Sequence, residues 1–338
     1  MFRSIGTSVR LANSEDYKSY CGSGGIAIRL ASQREVHCCG SRTTLRTQLI
    51  AHLSVMKISL ILATKGRVDE IKILVRSLIQ QDYGNLELIV VDQNGDDRLA
   101  PILKESNLAF PILHLRSEVG LSRARNVGLA FASGDIIAFP DDDCWYPDGL
   151  LKWIVSELQS QPSVDGLTGR SEDGHIRSSG GTFSRHKGRV DIRNVWQKGV
   201  SYTIFLRSAV CAAVGSFDEE LGVGARSRFG SGEETDYLIR TAKLGFNIQY
   251  LPNLIVFHPN SRLYDRNHRD KAFRYGMGMG RVLSKHRYTF THNFCTILRP
   301  LGGALLSLLS LRPRKAAYHL AIARGRLCGL LWSFRQAP

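Results

Sequence analysis

The chain has 338 residues, 43% of them apolar, and a mean hydropathy of -0.12, which is enough to bury one large core or two smaller ones. A spanning helix needs roughly 18 to 20 uninterrupted apolar residues; the nearest run, residues 300–311, has 12, so an integral membrane protein is not expected. The formal charge of +15 is concentrated at the ends: 15 Lys and Arg against 2 Asp from Arg262 onward, 7 basic against 3 acidic in residues 1–55, and a nearly neutral stretch between them.

Residues 1–55 mix Ser, Arg, Gly and Cys without helical or strand periodicity, and they lack the h-region and cleavage site of a secretory signal. They read as a disordered or non-native extension ahead of Met56, with an Arg- and Ser-containing targeting peptide as the competing reading. The seven cysteines (Cys21, Cys38, Cys39, Cys144, Cys211, Cys295 and Cys328) are scattered, odd in number and contain no CxxC pair. This argues against a disulfide framework or a zinc site and for reduced thiols in a cytoplasmic setting.

From Met56 the pattern becomes regular. Residues 57–64 (KISLILAT) form a near-continuous apolar run, as expected for a strand covered on both faces of a parallel sheet. Ile71, Leu74, Val75, Leu78 and Ile79 fall at helical spacing over 69–81, and 86–91 (LELIVV) is a second buried strand ending at Asp92. A further cycle follows, with a helix over 99–105, a short strand over 112–115 and a helix over 121–131. The strand at 136–139 then delivers Asp141, Asp142 and Asp143 at its carboxyl end. Three adjacent acids repel one another and have low strand propensity, so a solvated turn or a bound cation is their natural setting. Oxygen ligands of this kind suit Mg2+ or Mn2+.

An amphipathic helix is expected over 150–161, irregular loops and short strands over 166–188, a strand over 202–206 and a helix over 208–214. The Gly-rich segment 222–232 feeds a helix whose first turn holds Glu233, Glu234 and Asp236, acids that the helix dipole alone would favour. Strands are expected over 247–250 and 254–257, the second running into His258. Beyond Arg262 come a basic, Gly-interrupted segment (273–286), an apolar one (297–311) and an amphipathic basic helix (315–332). Basic residues interleaved with Leu, Phe and Trp suit an anionic membrane surface; a helical pair packed on the domain with its basic face in water is the alternative. The whole predicts an open α/β sheet of mostly parallel, Rossmann-like architecture flanked by helices, with a basic helical C-terminal extension. Ligands of such sheets bind beyond the strands' carboxyl ends, where Thr64, Asp92 and the Asp141 cluster fall.

Five segments in order, ILATKGR (61–67), IVVDQNGDD (89–97), GLSRARNVGLAFASGDIIAFPDDD (120–143), VGSFDEELGVGA (214–225) and GSGEETDYLIR (230–240), resemble the family 2 inverting glycosyltransferases of GT-A fold. The resemblance covers residues 57–261 as a domain, with 262–338 as a separate helical region. It implies a nucleotide-sugar donor, a saccharide or lipid-linked acceptor, and Mg2+ or Mn2+ as cofactor, acting in polysaccharide or glycoconjugate assembly; the cysteines set the expectation of a cytoplasmic protein, and the basic C-terminal region, if it docks on anionic lipid, that of a peripheral place on the inner face of the membrane. Thr64, Arg67, Asp92, Arg123, Arg125, Asn126, Asp141 and Asp142 would line the donor site, although arginines on a helix are often only solvated. Asp141 and Asp143 match the DXD acids, and His258 matches a position where some such enzymes add a metal ligand, although a lone His after a strand is usually structural. The catalytic base would come from the acidic pair at the start of a helix. Here that pair is Glu233 and Glu234 where the family has Glu-Asp, which leaves Glu234, Glu233 and Asp236 as candidates with Glu234 first. One alternative is a nucleic-acid- or membrane-binding protein that uses the basic C-terminal region, although that region forms no recognisable nucleic-acid motif and no nucleic acid is expected as a partner; a nucleotide-sugar-binding protein without turnover is the other.

Overall fold

A computed structural model of the chain describes residues 55–105, 110–174, 178–179, 181–259 and 266–335. The N-terminal extension expected over 1–55 lies, apart from Val55, outside the described residues. The first apolar run forms β1 (Ile58–Thr64), buried at every position. It is followed by α1 (Asp69–Ile79), β2 (Leu86–Asp92), α2 (Ala100–Glu105), β3 (Ile112–Arg116), α3 (Leu121–Leu129) and β4 (Ile136–Ala138). Next come α4 (Leu150–Ser160), β5 (Gly166–Glu172), β6 (Gly188–Arg189), α5 (Val195–Lys198), a 3-10 turn at Ser201–Thr203, β7 (Phe205–Arg207), α6 (Ser208–Val214), α7 (Glu233–Lys243) and β8 (Ile248–Phe257).

The eight strands form one sheet in the order β3-β2-β1-β4-β7-β5-β8-β6. β1 pairs in parallel with β2 and β4, and β2 with β3; β7 runs antiparallel between β4 and β5, and β5 and β8 are again parallel. The register matches Thr64 with Asp92, so these residues end neighbouring strands at the same height. Alternate residues of β1 serve opposite cores, as a period of two requires: Ile58, Leu60 and Leu62 pack with α1 and α4, while Ile61 and Ala63 pack with α3, α7 and α8 residues such as Ala124, Leu238 and Met277.

Two regions differ from the pattern-based expectation. The segment 166–188 opens with β5, a seven-residue strand inside the sheet; its sequence GLTGRSE contains one large apolar residue, so no apolar run marks it. The strands expected at 247–250 and 254–257 are a single β8, whose pairing with β5 jumps from Thr168↔Tyr250 to Arg170↔Ile255. The residues around Pro252 therefore bulge and do not end the strand.

The C-terminal part is three long helices, α8 (Arg266–Lys285), α9 (Phe290–Leu309) and α10 (Pro313–Arg335). The glycines expected to interrupt α8 instead lie inside a continuous helix, because they face neighbouring backbone. A Cβ on Gly280 would strike the Arg326 carbonyl, one on Gly325 the Phe273 carbonyl, and one on Gly329 the Met277 carbonyl. Gly278 meets the Ser231 carbonyl in the same way. Small residues four apart on both helices let α8 and α10 cross backbone to backbone, and α8 is wedged between α10 and the loop that leads into α7. No helix of the described residues is long and apolar enough to cross a membrane.

This close crossing predicts opposite outcomes for two glycine substitutions. Gly329→Ala should lower stability by about 1–3 kcal/mol through overpacking. Gly302→Ala in α9, where nothing lies within 4 Å, should raise it by roughly 0.5–1 kcal/mol. Urea denaturation of both variants checks the pair.

Candidate functional site

Three strand ends converge. Thr64 Oγ1 at the end of β1 donates to Asp142 Oδ2 at 2.8 Å. Arg67, on the following turn, reaches Asp142 Oδ1 with Nε at 3.2 Å and Asp143 Oδ2 with Nη1. Burial pushes the Asp142 carboxyl up to about 6, against the pull of Arg67 and Thr64. For Asp143 burial acts in the same sense but is overcome by its bonds to His258 and Arg67, and its carboxyl falls to about 2.

His258, just past β8, points Nε2 at Asp143 Oδ1 (3.1 Å), and its ring stacks on Tyr202 at 4.9 Å and 11°. Burial disfavours the imidazolium, but Asp143 outweighs it and raises the His258 pKa. One ligand atom each from Asp141, Asp143 and His258 lies within 4.8 Å of the others. Two carboxylates and an imidazole converging at that spacing fit a hard divalent cation such as Mn2+ or Mg2+, with coordination positions left for water or phosphate oxygens.

Asp141 is tied to a buried arginine. α3 lies against β1 because Gly128 has no side chain to strike Ile61. The helix is fastened to residues 217–223 by Leu121 N–H to the Val223 carbonyl (2.9 Å), Ser122 Oγ to the Leu221 carbonyl (2.6 Å) and Asn126 Nδ2 to the Phe217 carbonyl (3.0 Å). Arg125 is 0% exposed. Its Nη2 bonds Asp141 Oδ1 at 3.0 Å and its Nη1 bonds Glu233 Oε1 at 3.2 Å, while the guanidinium carbon stands 5.6 Å from the Phe217 ring centre. Arg123 turns away to Glu118 and Glu219, and Asn126 holds the 217–223 loop. Of the three α3 residues expected at the donor site, only Arg125 therefore reaches the acidic cluster.

Asp92 is 0% exposed and fully engaged. Its Oδ1 accepts both the backbone N–H and the side-chain amide of Asn94 at 2.8 Å, and its Oδ2 sits 3.1 Å from His114 Nε2 and 3.0 Å from Arg116 Nη1. Its neighbour Gln93 lines the cavity instead.

The first turn of α7 divides its acids among three settings. Glu233 is 5% exposed and faces Arg125. Glu234 lines the cleft, and burial together with the charge of Glu233 raises its carboxyl to about 8. Asp236 is 0% exposed on the far side of the turn, bonded to Arg240 Nε (2.9 Å), Lys285 Nζ (2.8 Å) and His286 Nε2 (2.8 Å). Despite burial, these contacts hold it well below the usual carboxylate range. Asp236 thus joins α7 to α8 and does not face the cleft.

Two cavities meet at the acidic cluster. One, of about 800 Å³, is lined by Lys65, Arg67, Gln93, Asp142, Asp143 and Arg274. The other, of about 710 Å³, is lined by Trp196, Tyr202, Glu233, Glu234, Tyr318 and Arg326. Asp141, His258, Lys271 and Tyr275 border both. Sequence reasoning missed Lys271, Arg274 and Tyr275 on α8 and Tyr318 on α10; the signal available was the basic, aromatic texture of 271–286, which carries no chemistry until the helix is folded against the sheet.

Comparison with known proteins gives a consistent picture. Residues 59–211 match the family model described as "Glycosyl transferase family 2". An uncharacterized glycosyltransferase of Haemophilus influenzae is 32% identical over 111 residues, 32% of this chain and 36% of that protein. Glycosyltransferase AglE of Haloferax volcanii is 26% identical over 258 residues, covering 73% of this chain and 81% of that one. The matches span less than half the length of the first curated relatives. Among solved structures, the mannosyltransferase PcManGT of Pyrobaculum calidifontis, in complex with GDP-Man and Mn2+, aligns with a TM-score of 0.58 at 14% identity over 82% of this chain and 88% of that one. At that identity the likeness is one of fold.

The buried bridge predicts a large effect from a single change. Arg125→Met would leave Asp141 and Glu233 without their shared cation and should cost about 3–5 kcal/mol in urea denaturation. Arg125→Lys, which lacks the fork needed to hold both acids, should fall between Met and wild type. A wild-type midpoint for the Met variant would contradict the bridge.

Proposed function

We propose that the chain, whose residues 59–211 match the family 2 glycosyltransferase model and whose fold is that of a solved mannosyltransferase, transfers a sugar, with inversion, from a nucleoside-diphosphate sugar to a hydroxyl of a saccharide or lipid-linked acceptor. The observation that carries this reading is the convergence of Asp141, Asp143 and His258 at the border of two cavities, with Glu234 lining the second. The cavity of about 800 Å³ suits the donor: Lys65, Arg67 and Arg274 offer cations to a diphosphate. The cavity of about 710 Å³ suits the acceptor, since the half-buried aromatic side chains of Trp196 and Tyr318 line it and can pack against sugar rings.

In this reading Asp141, Asp143 and His258 hold a divalent cation, which when bound neutralises the charge growing on the diphosphate as its bond to the anomeric carbon breaks. Mn2+ is the first candidate, supported by the complex of the mannosyltransferase with GDP-Man and Mn2+. Glu234 takes the proton from the acceptor hydroxyl as its oxygen attacks the anomeric carbon from the face opposite the leaving group. Its raised carboxyl, at about 8, gives it the basicity that proton removal near neutral pH requires. Glu233 is committed to Arg125 and serves to fix the turn, and Asp236 serves to fix α7 on α8. Residues 56–261 would act as the catalytic domain, with α8 walling both cavities and α10 the one that holds Glu234. The described cysteines, Cys144, Cys211, Cys295 and Cys328, are free thiols, in keeping with a reducing compartment and a reaction at the cytoplasmic face of a membrane, in polysaccharide or glycoconjugate assembly.

Release of nucleoside diphosphate from a panel of nucleotide sugars, with acceptor and with or without Mn2+, tests the reading. Turnover should require the cation, and Asp143→Ala should abolish the cation-dependent part. Glu234→Gln should lower kcat by about 10²–10⁴-fold with little change in donor KM. Because the base must be ionised, kcat should rise with pH and level off above about 8. Full turnover by the Gln variant would move the base elsewhere.

A further inference from the structure

α9 is apolar on the outside and small on the inside. The residues it buries are Pro300, Ala304 and Ser307, with Gly303 set over the His319 ring. Its large side chains face outward: Phe290 is 82% exposed, Phe294 51%, Leu305 60% and Leu309 73%. At about 100° per residue these four, together with Leu298 and Leu301, fall within one arc of roughly 100°, separate from the packed face. The result is a continuous apolar stripe along a helix of 20 residues, and a stripe of that length on an exposed face marks an interaction surface.

The charges around it choose the partner. Exposed Arg287 precedes the helix, Arg299 lies on its flank, and exposed Arg312 and Arg314 follow it. After Asp270 the sequence holds 12 Lys and Arg and no Asp or Glu. A second copy of the chain would bring two basic, acid-free surfaces together. An anionic lipid surface satisfies both features, taking the stripe among its acyl chains and the arginines at its phosphates. No described helix can span a membrane, so the contact lies in the interface plane. The sequence pattern points to the basic region beyond Arg262 as a whole; within it, the inner face of α10 is occupied by α8 through Gly325 and Gly329.

We propose that α9 is an interfacial anchor that binds the chain to an anionic membrane surface through Phe290, Phe294, Leu298, Leu301, Leu305 and Leu309. The anchor does not depend on the transferase reading. α9 packs on α10, which also lines the cavity containing Glu234 through Tyr318 and Ile322, so docking would hold that cavity near the lipid headgroups.

The test is flotation of the full chain with vesicles of phosphatidylcholine, alone or mixed with phosphatidylglycerol. Wild type should bind the mixed vesicles at least about tenfold more tightly than the neutral ones, with the preference shrinking as salt rises. Leu301→Asp/Leu305→Asp should lose at least about tenfold in binding, and Arg312→Glu/Arg314→Glu should lose the anionic preference. Thermal unfolding confirms that each variant is folded, and Phe290→Ser/Phe294→Ser near the start of α9 serves if the Asp pair is not. Equal binding by wild type and the folded stripe variants, or no binding by wild type at low salt, overturns the proposal. So does a wild-type dimer that ignores vesicles and becomes a monomer in the stripe variants.

Discussion

A guanidinium that has lost all contact with water must find anions, and Arg125 finds two. Burying it alone would cost several kcal/mol; the bonds to Asp141 and Glu233 offset that cost and fix the distance between two elements far apart in sequence, the turn after β4 and the start of α7. Everything at the cleft is built outward from this bridge. Asp141 is held beside Asp143 and His258, and of the two acids that line the cleft Glu233 is tied to Arg125 while Glu234 is not. The raised Glu234 carboxyl follows from the same arrangement, since burial and the fixed negative charge of Glu233 both disfavour a second anion in the first turn of α7.

The sheet was readable because buried parallel strands are long apolar runs, and the helices that cover them have strong 3.6-residue stripes. β1, β2, α1 and α4 follow directly from that pattern. β5 was legible only as one of the short strands expected among loops over 166–188, because Gly, Thr, Arg and Ser occupy most of its positions and no apolar run marks its bounds. The acids at strand ends were legible as a cluster, but their division of labour was not. Asp236 and Glu234 are two residues apart, yet the helix turns one toward Lys285 and His286 and the other toward the cleft. In the same way Arg123 and Arg125 look alike in sequence, while one meets surface carboxylates and the other the buried cluster. Asp92, a strand-end acid like Asp141, is closed in by Asn94, His114 and Arg116. Only partners distant in the chain decide these cases.

The C-terminal helices change most between sequence and structure. Read as composition they are a basic tail; folded, α8 and α10 form the outer wall of the cleft. The glycines of α8 face α10 on one side and Ser231 on the other, and Lys271, Arg274 and Tyr275 extend from the same helix to the cavities beside the acidic cluster. The ion pairs from Lys285 and His286 to Asp236 lock that wall to α7. With α8 and α10 committed to each other, α9 keeps its large apolar side chains on the outside, and the surface chemistry of the region is concentrated there.

The proposed transfer requires Asp141, Asp143 and His258 to form a cation site that faces a donor diphosphate. A crystal structure of the protein grown with Mn2+ and a nucleoside diphosphate, with anomalous scattering recorded at the manganese edge, tests it most directly. A manganese peak in contact with Asp143 and His258 is expected, with the diphosphate in the cavity bordered by Arg67 and Arg274. A manganese peak away from this triad, or a diphosphate bound elsewhere with the triad still paired as Asp143 to His258, would contradict it.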